Sequence, residues 1–267
     1  MSPVAFILLV VGADRLLSSG RPRFLQPVQR WWVETRPRLV AWVRSAPATY
    51  GYLAVLFVTT WVLSSASGRL TGRLLLAQST NLHQLARDPV RVLISSAFWL
   101  SGTVSLLVWA TLLTLVLAPV ERRIGSWRLG IVFAIGHVGA TLLTAAGLWT
   151  ALRLDTVERS VVNARDVGAS YGFLAIAAAM TYLLAPRLRV GYAVLLLVSV
   201  AAAATVSHTF TDFGHLLSVL LGFGCYRLVR GHSVMPSIDV PVLGLRGQGR
   251  ACRRRPASGH ISASSSR

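Results

Sequence analysis

The chain has 267 residues, 54% of them hydrophobic and 13% charged, with a mean hydropathy of +0.59. A soluble domain carries roughly a quarter charged residues and a disordered chain has low hydrophobicity, so neither describes the bulk of this sequence. The formal net charge is +18, and all 27 basic residues are Arg; on so apolar a chain this surplus points to the Arg-rich cytoplasmic flanks of an integral membrane protein rather than to nucleic-acid binding.

In chain order, the apolar stretch 4–11 is too short to span a bilayer and is broken by Asp14 and Arg15. Residues 20–46 hold six Arg, three Pro, Trp31, Trp32 and Trp42. Trp beside Arg belongs at headgroup level, so 1–46 reads as a cytoplasmic or interfacial N-terminal arm. Six candidate spans follow, over about 47–66, 93–118, 129–150, 168–185, 190–206 and 213–229. Together they predict an all-α polytopic membrane domain over 47–229. The last three are short and need a thin bilayer, an extra turn or shelter inside the bundle. Residues 230–267 are Gly, Ser, Pro and Arg rich and read as a disordered basic cytoplasmic tail.

Arginine placement sets the orientation. With the N-terminal arm inside, the inner segments carry nineteen Arg and the outer loops seven, with Arg15 unassigned. The positive-inside rule then places both termini in the cytoplasm. Membrane lipid is an implied partner, and Arg253, Arg254 and Arg255 could touch its anionic headgroups. The two cysteines, Cys225 and Cys252, form no zinc spacing or disulfide framework. No H-E-x-x-H motif or Gly-rich phosphate loop is present, so neither metal nor nucleotide cofactor is expected.

Polar groups inside spans are costly and therefore functional candidates. Ser170 sits in Gly168-Ala169-Ser170-Tyr171, about one turn into the fourth span. His215 sits in Asp212-Phe213-Gly214-His215, about one turn into the sixth, with Ser218 and Gly222 below it on one face. Each has a plain alternative: a packing serine at a helix interface, or a histidine satisfied by a carbonyl or water. Counted from Asp166 and Asp212, both lie about 5–6 Å deep on helices running in the same direction. A serine hydroxyl is a weak nucleophile until a base takes its proton, and His is the usual base. A Ser–His dyad just below the outer surface suits peptide-bond cleavage within a membrane.

These residues resemble those of the rhomboid intramembrane serine proteases, in particular a divergent bacterial branch. The likeness rests on Gly168-Ala169-Ser170-Tyr171 for the family's G-x-S-G, on Gly214-His215 with Gly222 seven residues later, and on the turn Glu121-Arg122-Arg123-Ile124-Gly125-Ser126 for its E-x-x-x-G-S. It covers roughly 47–229. It implies a six-helix bundle, a loop over 67–92 embedded in the membrane, a catalytic Ser170 and His215, transmembrane proteins as substrates, and residence in a bacterial plasma membrane. The chain departs from the family in its second helix, where 93–118 contains neither His nor Asn for the oxyanion. Counting back from Glu121 gives those roles to Ser105 and Trp109, whose hydroxyl and indole N–H can each donate. His137 in the third span is a further oxyanion candidate, although depth counting sets it too deep for Ser170 unless the helix shifts. Tyr171 replaces the second glycine of G-x-S-G. Two functions are compatible: an intramembrane serine endopeptidase, or a rhomboid-like protein that binds membrane-protein clients without cutting them. Oligomeric state and substrate identity are not legible.

Overall fold

The computed structural model describes residues 11–15, 17–18, 26–100, 103–158, 166–207 and 209–232; from residue 233 onward the expected tail lies outside them. The described elements are all helical: α1 (Gln26–Arg44), α2 (Pro47–Ser65), α3 (Gly68–Ala77), α4 (Leu82–Arg87), α5 (Pro89–Ser95), α6 (Thr103–Leu112), α7 (Ala118–Arg153), α8 (Ser170–Met180), α9 (Pro186–Ser207), α10 (Phe210–Gly224) and α11 (Tyr226–Val229). A π-helical turn, Leu113–Leu117, joins α6 to α7.

Three helical runs are long and apolar enough to cross a membrane: Pro47–Ser65, Ser105–Arg153 and Pro186–Thr205. The chain is an integral membrane protein built as an all-α bundle. The difference from the six expected spans has two physical sources. Spans two and three lie in one 49-residue run, and the helices at spans four and six are short, Ser170–Leu183 and Phe210–Gly224. At 1.5 Å per residue the 15 residues of α10 cover roughly 22 Å, less than a hydrocarbon core of about 30 Å.

The long run is not straight. Gly125 has φ 81° and ψ 157°, a conformation that L side chains rarely adopt. The Trp109 ring meets the Phe173 ring at 5.4 Å, while the Phe133 ring fills the space beside Gly172. Residues 109 and 133 would be about 36 Å apart on a straight helix, yet they touch neighbouring positions of α8. The chain therefore reverses at Gly125.

Glu121 fixes this reversal to the start of α2. Its carboxylate accepts hydrogen bonds from the Ala48 N–H (2.8 Å), the Thr49 N–H (2.8 Å), the Thr49 hydroxyl (2.7 Å) and the Ser126 hydroxyl (2.6 Å). The N-cap residue of α2, Ala46, has no side-chain acceptor. Glu121 is 2% exposed and caps the helix from 72 residues away, with its charge against the positive end of the dipole. The sequence motif is thus a joint between the start of α2 and the two arms of α7 on either side of Gly125.

Residues 67–95 form three short helices, each capped by its own residue: Ser67 accepts from Leu70 N–H, Asn81 from Gln84 N–H and Asp88 from Arg91 N–H. A 3-10 turn, Ser96–Phe98, follows, and Trp99 is extended at φ −118° and ψ 135°. The helix of the second expected span thus starts at residue 103 rather than 93, because the backbone between them is diverted to meet the site.

Small residues hold α7, α8 and α10 together. A Cβ on Gly136 would collide with Ala175, and one on Gly222 with the backbone of Ala175. By contrast α9 is largely peripheral: Val194, Leu195 and Val198 are exposed, as on a lipid-facing helix, and the Tyr192 hydroxyl ties α9 to the Ala177 carbonyl at 3.1 Å.

Candidate active site

The site lies where the N-terminal ends of α8 and α10 meet α7 and the segment before α8. Ser170 is the first residue of α8. His215 stands early in α10, whose start is fixed by a capping box: Asp212 accepts from the Thr209 N–H at 2.7 Å while Thr209 caps the third turn position in return. Asp212, used above only to mark depth, has this cap as a structural task.

The two helices run in the same direction. Contacts climb together: the Tyr171 ring meets the His215 ring edge-on at 5.4 Å, Ser218 donates its hydroxyl to the Tyr171 carbonyl, and Gly222 lies on Ala175. Ser170, adjacent to Tyr171, is therefore at the level of His215. Their faces also correspond. Ser170 shares its helix face with Leu174, one turn on, and His215 shares its face with Val219; Leu174 packs with Val219 and Val200 in one apolar cluster. By helical position both residues fall on the flank toward α9, and both are half-buried. Among the described residues no hydrogen bond joins them.

Tyr171 occupies the centre. It is 2% exposed, its ring lies between His215 and His137, and its hydroxyl donates to Asp166 at 3.1 Å. A Cβ on Gly214 would strike the Tyr171 ring, so Gly214 makes room for it. Asp166 is buried at 8% exposure and connects three segments. Its N–H donates to the Ser79 hydroxyl (2.7 Å), its carbonyl accepts from the Thr80 N–H (2.9 Å), and its carboxylate lies 3.0 Å from the Thr80 hydroxyl. Burial raises the Asp166 carboxyl above the usual Asp range, against the opposing pull of the Thr80 and Tyr171 hydrogen bonds. Sequence reasoning used Asp166 only as a depth marker and Tyr171 only as a departure from a motif. The five-residue spacing of the two was the available signal; Thr80, 86 residues away, gave none.

The oxyanion candidates are dispersed. His137 is 5% exposed, and its Nε2 lies 3.1 Å from both the Leu93 carbonyl and the Ser96 hydroxyl. A carbonyl only accepts, so Nε2 carries the proton, and His137 is committed to the α5 segment. Ser96 in turn accepts the Gly168 N–H on its carbonyl at 3.0 Å; this bond holds Gly168, at φ 130°, just ahead of α8. Trp109 packs its ring on Phe173, and Ser105 is half-buried on α6. Among the described residues neither donates a hydrogen bond to α8 or α10. The amides available beside Ser170 are those of the first turn of α8, which has no side-chain cap.

Residues 41–235 match the family model described as rhomboid-like protein. No curated protein and no solved structure matches the chain.

Proposed function

The chain belongs to the rhomboid-like family, and from that premise we propose that it is an intramembrane serine endopeptidase acting on transmembrane proteins. The observation that carries this reading is the placement of Ser170 and His215 at one level, on one flank of two co-directional helices, with both side chains free of other hydrogen bonds among the described residues. In this reading Ser170 Oγ attacks the carbonyl carbon of a locally unwound substrate segment while His215 takes the hydroxyl proton. The same imidazolium then protonates the leaving amine, and water, activated by His215, releases the acyl group from Ser170. The uncapped N–H groups at the start of α8 face the developing oxyanion. Tyr171 is a positioning residue: its ring backs the imidazole and its hydroxyl is anchored on Asp166. Both termini are cytoplasmic in a bacterial plasma membrane, as the arginine split supports, which places the dyad near the outer face.

A second reading, a family member that holds membrane-protein clients without cutting them, is favoured by one observation. The hydroxyl and imidazole are not hydrogen-bonded, and His137 and Trp109 are engaged elsewhere. Reaction of the liposome-reconstituted protein with a fluorophosphonate separates the two. Labelling at Ser170 that requires His215 supports the protease; absence of labelling, with client crosslinking unchanged by Ser170→Ala, supports the holdase.

A further inference from the structure

On the opposite side of α10 from α9, an apolar trough of about 480 Å³ runs between α7 and α10. Ile135 and Leu143 form one wall and Leu217, Leu220 and Leu221 the other. The trough runs from Leu217 on α10 to Leu228 on α11. Three turns of a helix about 10–12 Å across occupy roughly 1,300 Å³ or more, well above the volume of the trough, whereas a single hydrocarbon chain is slender enough to lie in it. Leu220 is 53% and Leu143 47% exposed, so the walls open sideways to lipid rather than to a sealed interior.

One end of the trough carries charge. Arg227 lines it, is exposed, and has no ion-pair or hydrogen-bond partner among the described residues. This end is the Gly125 end of the bundle, since α10 runs antiparallel to α7: Gly147 lies at Phe213 and Gly139 at Leu221, so Arg227 falls toward the start of α7. Arg227 therefore stands at an interface, at headgroup level, with an apolar channel leading away from it into the bilayer.

We propose that this trough is a binding site for an anionic phospholipid, with one acyl chain between α7 and α10 and the headgroup phosphate on Arg227. Charge complementarity selects the occupant: a guanidinium is matched to phosphate, and a net negative headgroup adds to that attraction where a zwitterionic one does not.

Native mass spectrometry of the full-length protein, released from micelles containing equal amounts of phosphatidylglycerol and phosphatidylcholine, tests the site. Wild type is expected to retain phosphatidylglycerol preferentially, Arg227→Gln to reduce that retention about fivefold, and Leu220→Trp to reduce retention of both lipids. Arg187→Gln removes an equally exposed cation that does not line the trough and is expected to leave retention unchanged. Equal retention of the two lipids by wild type, an unchanged Arg227→Gln, or an equal loss in Arg187→Gln would each overturn the proposal. Unfolding midpoints of all variants, matched to wild type, show that a loss reflects the site and not the fold.

Discussion

Glu121→Ala is expected to be among the most destabilising single substitutions in the bundle. The carboxylate accepts four hydrogen bonds in a place that is 2% exposed. The Thr49 and Ser126 hydroxyls can rotate toward other acceptors, but the Ala48 and Thr49 N–H groups are fixed by the first turn of α2. Two orphaned donors at about 1–3 kcal/mol each give roughly 2–6 kcal/mol, against a total stability of typically 5–15 kcal/mol. Glu121→Gln keeps one acceptor oxygen and the side-chain shape, so about half that loss is expected. Ser126→Ala removes one donor and leaves the carboxylate its other three, for about 1 kcal/mol. Reversible unfolding in mixed micelles, read by circular dichroism, gives the three values. A loss below about 1 kcal/mol for Glu121→Ala would refute the joint, and with it the explanation of the E-x-x-x-G-S turn.

Asp166 makes stability depend on pH. Its folded-state carboxyl is raised above the unfolded value of about 3.9, so between the two values the folded state binds more protons and stability falls as pH rises; Asp166→Asn is expected to flatten that part of the unfolding-midpoint profile. Gly222→Ala puts a methyl into the Ala175 backbone and is expected to cost about 1–3 kcal/mol. Gly191→Ala in α9 meets open space and is expected to leave stability unchanged or raise it by about 0.5–1 kcal/mol; equal effects of the two glycine substitutions would remove the argument for close approach of α8 and α10. Tyr171→Phe keeps the ring against His215 and loses the bond to Asp166. In a protease it is expected to lower the labelling rate of Ser170 by less than Tyr171→Ala does, and the reverse order would deny the ring its positioning role.

Much of the architecture was legible because membrane burial leaves a strong signal in sequence. Apolar runs located the helices, and the spacing of Gly214, Ser218 and Gly222 announced the face on which α10 meets α8. The E-x-x-x-G-S turn was recognisable, but its purpose was not, because the groups that Glu121 satisfies are more than 70 residues away. The second span was misplaced by ten residues at its start: residues 93–100 are apolar enough to read as helix, yet the backbone leaves the helix at Trp99. The break lets Ser96 reach both Gly168 and His137, pairings that no local periodicity encodes. Counting depth along α7 set His137 too deep for Ser170, yet its ring lies 6.4 Å from that of the adjacent Tyr171, and the count could not identify the Leu93 carbonyl as its partner. Tyr171 was hidden for a different reason. A motif comparison reads it as a lost glycine, whereas its meaning lies in the ring and hydroxyl that it adds.

The activity claim turns on whether the Ser170 hydroxyl is activated, and the direct measurement is fluorophosphonate labelling of the protein in liposomes, with the modified residue located by peptide mass spectrometry. The expected result is a single adduct on Ser170, absent in Ser170→Ala and nearly absent in His215→Ala, because a dyad acts as a unit. Well-folded protein that carries no adduct on Ser170, or an adduct whose rate is indifferent to His215, would contradict it.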